Sequence, residues 1–240
     1  MKLSTLTIIL FAASIGYSFA QTDSERLEEL GEIASGSGKH MYGKAMPPGG
    51  VVGTTLYDES WYQGEVQFYN GKALKNHELR YDVYADIVEA KINGNVALYK
   101  GENIKQFNWE DSSVNTAMKF INTKSYTISN TELIGFFEVL VDDEVALFAH
   151  QKIKIKEPDY VEGLDVGSRD YQIKMSENYY FAFGKKLMDV KQGKNFKELK
   201  NSIPPLKEFV KENNLSHKKK QDLVSMTRFL NSIKVSNVDL

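Results

Sequence analysis

The chain has 240 residues, of which 42% are hydrophobic, 26% charged and 12% aromatic. Such a composition is typical of a globular protein, and it excludes wholesale disorder and a collagen-like fibre. Because the sequence contains no cysteine, it also excludes disulfides, thiolate metal sites and a cysteine nucleophile.

Residues 1–20 have the pattern of a secretory signal peptide. Lys2 supplies a positive charge, residues 6–15 are mostly apolar, and Ser18 and Ala20 are small residues at the −3 and −1 positions of a cleavage site. A membrane anchor is the alternative, but the apolar run is shorter than the ~20 residues that span a bilayer. We expect cleavage after Ala20, export to the periplasm, the outer membrane or the extracellular space, and no transmembrane segment in the mature chain.

The segment after the signal is predicted to be an appendage rather than part of the main domain. Residues 21–34 are expected to form a short helix, because Asp23 or Ser24 can cap it and apolar side chains recur on one face. Residues 35–53 are rich in glycine and contain two adjacent prolines, which predicts a linker. We therefore treat residues 21–56 as a helix and a glycine-rich linker.

Between residues 57 and 192 the hydrophobic period is two, which predicts β-strands. Asn70-Gly71 and Asn93-Gly94 interrupt this pattern and are strong signals for tight hairpin turns. Short links force neighbouring strands to be antiparallel. We predict a mainly β (α+β) fold, in which an antiparallel meander forms a curved sheet or a partial barrel.

Two further hairpins are predicted in the second half of this β domain. The first joins residues 136–141 to residues 145–155 through an acidic turn. The second joins residues 171–175 to residues 179–183 and turns at Glu177-Asn178, because two polar residues interrupt the apolar pattern there.

Residues 193–240 change to a helical period, with Pro204-Pro205 ending the first helix. Short loops between amphipathic helices predict a C-terminal αα-hairpin that packs on the sheet. Across the whole chain, seven residues on the apolar phase of their elements are expected to be buried: Leu79, Tyr81, Val83, Val139, Phe181, Phe209 and Leu230.

Charge is divided unequally along the chain. Residues 21–184 carry 16 Lys and Arg against 26 Asp and Glu, whereas residues 185–240 carry 13 against 6. The basic segment therefore either docks on the acidic body or contacts an anionic partner, such as lipid head groups or lipopolysaccharide.

Five segments carry a resemblance to a known family, and they are residues 78–92, 104–107, 136–140, 179–180 and 209–215. Together they resemble an uncharacterised family of exported proteins from Bacteroidetes-type bacteria. The resemblance covers roughly residues 57–233. It implies export and a β-rich body followed by C-terminal helices, and it carries over no activity and no site residue.

Three aromatic side chains are candidates for ligand binding. Trp61, Tyr69 and Tyr84 fall on the polar phase of their strands, so we expect them to lie outside the core. Exposed aromatic rings can stack on sugars or line a pocket. Partial burial under the helices or the linker is the alternative.

Lys218, Lys219 and Lys220 open the last predicted helix. Positive charge at a helix N-terminus opposes the macrodipole, and such a local violation can mark a functional site. The three lysines are therefore candidate contacts for an anionic partner, and a solvated basic turn is the alternative.

Catalytic chemistry has little support in the sequence. Asp82, Asp86 and Glu89 cluster near a predicted bend, and a close carboxylate pair could hydrolyse a glycoside, but we expect these side chains to be solvated. The four histidines lack metal-ligand spacing, and no Gly-x-Ser-x-Gly elbow of a serine hydrolase is present. We expect no metal and no cofactor.

The leading hypothesis is a non-catalytic exported protein of the cell envelope that binds a ligand or assists another component. The alternatives are a lipocalin-like carrier of an apolar ligand and a carboxylate-based glycan hydrolase. The expected partners are an anionic envelope surface or another envelope protein. Nucleic acid is disfavoured by the expected compartment and by the acidic body.

Overall fold

The computed structural model describes residues 50–111, 116–128, 132–191 and 193–234, together with two short strands near residue 40. The chain divides into two units, Met1–Met46 and Pro47–Leu240. In the first unit, strand β1 (His40–Met41) pairs antiparallel with β2 (Lys44–Ala45). The predicted signal peptide, the helix at 21–34 and most of the glycine-rich linker lie outside the described residues.

The described part of the second unit contains one large sheet followed by three helices. The strands are β3 (Val51–Val52), β4 (Tyr62–Phe68), β5 (Ala73–Asp82), β6 (Ile87–Ile92), β7 (Asn95–Lys100), β8 (Ile104–Asp111), β9 (Thr116–Asn122), β10 (Phe136–Val141), β11 (Val145–Lys156), β12 (Tyr171–Phe183) and β13 (Lys186–Asp189). The helices are α1 (Gly193–Ser202), α2 (Pro204–Glu212) and α3 (Lys220–Ser232).

The strands follow the order β13-β12-β11-β10-β9-β8-β4-β5-β6-β7, and β3 pairs separately with β12. Every pairing in this sheet is antiparallel except that of β3 with β12. Within the described residues the sheet is open, with β7 and β13 at its two ends. The predicted mainly β fold with C-terminal helices is confirmed, while the pairing of two helices as an αα-hairpin stays a prediction.

The Asn-Gly hairpin turns are confirmed. At the β6–β7 turn, Asn93 and Gly94 both have positive φ, 51° and 81°, as a type I′ turn requires. At the β4–β5 turn, Gly71 has φ 81°. Both hairpins place consecutive strands side by side, and the β10–β11 hairpin does the same with its predicted partners.

The predicted hairpin at Glu177-Asn178 is wrong, because β12 runs through these residues without a break. Glu177 lies opposite Gln151 and Asn178 lies opposite His150 in a regular register with β11. The polar pair lies within a strand that continues beyond it, so β11 and β12 extend together as a long ribbon, and β3 pairs with β12 at the far end of this ribbon.

The helices cover one face of β10–β13, which we call the helix-covered face. Helix α3 packs on β10 and β11. The cluster between the three helices and the sheet contains apolar residues that are fully or nearly fully buried: Val145, Leu147, Phe181, Leu199, Leu206, Leu223, Met226 and Leu230. Asn231 strengthens the contact, since its amide accepts from the Val145 backbone N–H at 2.8 Å and donates to the Val145 carbonyl at 2.9 Å.

Four of the seven predicted core residues, Leu79, Tyr81, Phe181 and Leu230, are buried. The other three are only half-buried. Val83 follows the end of β5, Val139 precedes an irregularity in the β10–β11 register, and Phe209 stacks on Phe229 with ring centroids 4.1 Å apart. The period of an element predicts its inward face, but it does not tell how deeply the end of that element is covered.

Candidate functional site

Trp61 is half-buried and its ring is engaged by two cations of the fold. The Arg80 guanidinium carbon and the Lys91 ammonium each lie 4.5 Å from the ring centroid. Arg80 in turn forms an ion pair with Glu89, with 2.7 Å between Nη2 and Oε2. Trp61 therefore covers an ion pair on the outer face of β5 and β6, which limits its use as a free stacking surface.

Tyr69 and Tyr84 lie at opposite ends of β5. Tyr69 is 47% exposed and belongs to the β4–β5 turn, whereas Tyr84 is half-buried in the β5–β6 turn. A strand rises about 3.3 Å per residue, so the ten residues of β5 separate the two rings by about 30 Å. Tyr69 thus cannot share one small-molecule site with Tyr84.

Two of the three carboxylates near the bend are buried and the third, Asp86, is half-buried, contrary to the sequence-based expectation that they are solvated. Asp82 and Glu89 are 3% and 6% exposed. The Thr55 hydroxyl donates to Asp82 at 2.7 Å, and the Ala85 backbone N–H donates to its other oxygen at 2.8 Å. Together with the Arg80–Glu89 ion pair, these contacts hold the β5–β6 turn and leave no free carboxylate pair there.

The three lysines at the start of α3 differ in their surroundings. Lys218 and Lys219 are exposed. The Lys220 ammonium instead donates to both carboxylate oxygens of Glu138, at 3.0 and 3.1 Å, and lies 3.7 Å from the Glu177 carboxylate. Lys220 is therefore an internal contact between α3 and the sheet.

Glu138 and Glu177 form an acidic cradle for this helix end. The Tyr57 hydroxyl donates to Glu138 at 2.9 Å, the Tyr179 hydroxyl donates to Glu177, and the Gln151 amide donates to Glu177 at 2.8 Å. Burial and the adjacent carboxylates raise the pKa of both tyrosines, which keeps each hydroxyl protonated as a donor.

The acidic cradle also explains how a basic helix start is tolerated. Carboxylates beside a helix N-terminus interact favourably with the macrodipole, and Glu138, whose side chain is only 9% exposed, supplies one directly at Lys220. Asp222 in the first turn adds another, since it accepts from the Ser216 backbone N–H at 2.9 Å. The positive charge at this helix end is thus balanced from two sides.

A second group of lysines was missed by the sequence analysis. Lys152, Lys154 and Lys174 are exposed on the ribbon of β11 and β12, and Lys154 lies directly opposite Lys174. Within the described residues none of the three has an acidic partner, whereas Lys156 pairs with Asp159 at 2.6 Å. We call Lys152, Lys154 and Lys174 the basic ribbon. The strict Lys-Ile alternation of residues 152–156 is the sequence signal that could have revealed it.

Successive side chains of a strand point to opposite faces, so the basic ribbon and the acidic cradle lie on different faces of the sheet. Glu177 lies on the helix-covered face with Phe181, which is four residues away on the same strand. Lys174 is three residues from Glu177, so its side chain lies on the opposite face. Lys218 and Lys219, which adjoin the cradle through Lys220, are thus separated from the basic ribbon by the sheet.

His150 lies on the same face of β11 as the basic ribbon and is 4% exposed. Its Nε2 is 2.8 Å from the Ile134 carbonyl oxygen, and its Nδ1 has no partner within the described residues. Burial lowers the pKa of His150 below its ordinary value, and the positive charge of nearby Lys152 lowers it further. The hydrogen bond to Ile134 raises this pKa but does not outweigh the burial.

This lowered pKa predicts a loss of stability on mild acidification. Above the ordinary histidine pKa of about 6.5, both states hold a neutral imidazole, and below it the unfolded chain gains a proton first. The free energy of unfolding should therefore fall between pH 7 and pH 5, and by less in His150→Gln. Urea denaturation at both pH values measures this. His217→Gln is the comparison: the pKa of His217 is also lowered by burial, but this side chain is only half-buried, so its removal should reduce the fall by less than His150→Gln. An equal fall in wild type and His150→Gln would contradict the prediction.

Within the described ranges no three or more His, Asp or Glu side chains are grouped so that they could hold a metal ion. In the same part of the chain, no helix has the length and hydropathy needed to cross a membrane. No protein-family model matches the chain, and neither a curated protein nor a solved structure matches it.

Proposed function

We propose that the chain is an exported, non-catalytic binding or accessory protein of the cell envelope, related to the Bacteroidetes-type exported family that its sequence resembles. The N-terminal pattern of charge, apolar run and small residues supports export. The proposed contact with an anionic envelope surface is made by the C-terminal helices, arranged around an αα-hairpin, through Lys218 and Lys219.

One observation carries this proposal, namely that the basic charge of the helices is left largely unneutralised. The apolar stripes at Leu206, Leu223 and Leu230 are fully buried, which directs the lysines outward. Among the described helical residues, Lys220 alone forms an ion pair with the sheet. Docking on the sheet thus accounts for one lysine and Lys194 pairs with Glu198 within α1, which leaves the exposed Lys218 and Lys219 available to an anionic surface.

The two alternatives gain less from the geometry. A lipocalin-like carrier encloses its ligand in a closed barrel, whereas the described sheet is open between β7 and β13. A glycan hydrolase needs two available carboxylates, whereas Asp82, Glu89 and Glu138 are engaged in hydrogen bonds or ion pairs that hold the fold.

The test is cosedimentation of the chain with lipopolysaccharide and with vesicles containing phosphatidylglycerol. Each lysine near an anionic surface contributes on the order of 1 kcal/mol, or about fivefold in affinity, so K218Q/K219Q should bind roughly twenty-fivefold more weakly than wild type. Binding should also fall with salt, because the Debye length is about 8 Å at physiological ionic strength. Lys220 is left unchanged because it holds Glu138.

The control is K72Q/K75Q, which removes two exposed charges from the β4–β5 hairpin and should bind like wild type. If wild type fails to bind at low salt, or if K218Q/K219Q binds as tightly as wild type, the proposed contact is wrong.

A further inference from the structure

The basic ribbon concentrates positive charge on a part of the fold where it is locally unfavourable. Like charges directly opposite each other on paired strands are destabilising, and Lys154 faces Lys174 in this way. Lys152 lies two residues from Lys154 on the same face. Lys191 continues the cluster inward, since its ammonium is 3.0 Å from the side-chain oxygen of Asn178, which lies opposite His150.

The groups that adjoin the lysines on this face are small or polar, and Val52 of β3, which is 56% exposed, lies beside Gln172. Gln172 lies opposite Lys156, and Ser176 lies opposite Lys152. The other face of the same ribbon carries Ile153, Ile155, Ile173 and Met175, which are buried or half-buried. The inward position of these apolar side chains thus fixes the orientation of the lysines: Lys152 and Lys154 lie about 7 Å apart along β11, and Lys174 lies across from Lys154 on β12.

We infer that the basic ribbon binds a linear acidic polysaccharide. A chain of uronate sugars presents carboxylates at regular intervals, so that more than one of them can pair with ammonium groups held close together on two neighbouring strands. It also presents hydroxyls, for which Gln172 and Ser176, on either side of Lys174 along β12, supply hydrogen-bonding partners. The inference rests on the proposed binding function and assigns a partner chemistry to a surface separate from Lys218 and Lys219.

The loop at the end of the ribbon disfavours a membrane as the occupant. Residues 157–170 contain five carboxylates and one arginine, so an anionic bilayer that covered the ribbon would also meet this acidic loop. A flexible polymer can lie along the lysines without touching the loop.

The composition of the ribbon also disfavours single-stranded nucleic acid. Proteins that bind it stack its bases on aromatic side chains, whereas the described residues facing outward between Lys152 and Lys174 are lysine, glutamine and serine. Charge and hydrogen bonding, without stacking, are the recognition chemistry that this face offers.

The experiment measures binding of a fluorescently labelled polygalacturonate oligosaccharide to the full chain by anisotropy, at low and at physiological salt. Wild type should bind with an affinity that falls steeply with salt. On the basis of about fivefold for each lysine near an anionic partner, K152Q/K154Q/K174Q should lose on the order of a hundredfold. The midpoint temperature of its thermal unfolding should be unchanged or slightly raised, because the like-charge pair of Lys154 and Lys174 is removed.

K72Q/K75Q/K105Q is the matched control, since it removes three exposed charges elsewhere on the sheet and should bind like wild type. Equal losses in both triple variants would show an effect of net charge and overturn the inference. So would tighter, ribbon-dependent binding of phosphatidylglycerol vesicles or single-stranded DNA.

Loss of polysaccharide binding in K218Q/K219Q, with full binding by the ribbon variant, would overturn the inference and leave the proposed function standing. Absence of binding to polygalacturonate, together with normal binding to lipopolysaccharide, would have the same meaning. If wild type binds none of these anions, both proposals fail.

Discussion

Leu230→Ala is expected to lower the free energy of unfolding by about 2–5 kcal/mol. Leu230 is completely buried in the cluster between α3 and the helix-covered face, together with Leu147 and Phe181. Truncation removes apolar contacts and leaves a cavity that the rigid sheet cannot close. Urea denaturation followed by circular dichroism measures the change.

Arg228→Ala is the control for this helix, because Arg228 is exposed on α3 and a surface substitution should change stability by less than about 0.5 kcal/mol. If Leu230→Ala lowered the free energy of unfolding by as little, α3 would not contribute to the core, and the packing of this helix on β10 and β11 would be wrong.

Gly64→Ala is expected to cost about 3 kcal/mol, at the upper end of the usual range for overpacking. Gly64 lies opposite Trp109 in the pairing of β4 with β8. A Cβ at this position would stand 2.2 Å from the Asn108 carbonyl oxygen and 3.0 Å from the Trp109 Cα. These are backbone atoms, so the clash is relieved only by moving the two strands apart.

Gly163→Ala provides the comparison, since a Cβ there meets nothing within 4 Å and its φ is not positive. Thermal and urea unfolding of both variants should show a large loss for Gly64 and almost none for Gly163. Near-native stability of Gly64→Ala would mean that β4 and β8 do not approach as closely as the structure has them.

The sequence predicts those parts of the fold that depend on neighbouring residues. The Asn-Gly turns determine the β4–β5 and β6–β7 hairpins, and the helical stripes identify Leu206, Leu223 and Leu230 as inward-facing. The prediction fails at Glu177-Asn178, because polar residues in a turn and polar residues within a long strand give the same local pattern. The distinction lies in β11, whose extension to Lys156 provides the partner strand.

The surroundings of the candidate lysines could not be predicted from the sequence for a related reason. Lys218, Lys219 and Lys220 are equivalent in sequence, but Lys220 meets Glu138, which is 82 positions away in the chain, and this contact exists only after α3 has docked. The shared face of Lys152 and Lys154, by contrast, can be predicted without knowledge of contacts between distant residues. Alternating lysines in a predicted strand already share one face, and a cross-strand partner, Lys174, then adds to their charge.

The pairing of β4 with β8 has a consequence for how the chain acquires its structure. The partners run from Phe68 with Ile104 to Gln63 with Glu110, whereas the other strand pairs of this half are joined by tight turns. Closing a long loop costs more conformational entropy than forming a hairpin, and it is slower. We therefore expect β4, β5, β6 and β7 to pair first, and one edge of β4 to stay unpaired until β8 is added. Until β8 has paired, the free edge of β4 is a template for strands of other copies. Fragments that end before β8 should therefore aggregate, whereas in the chain that includes β8 this edge of β4 is paired.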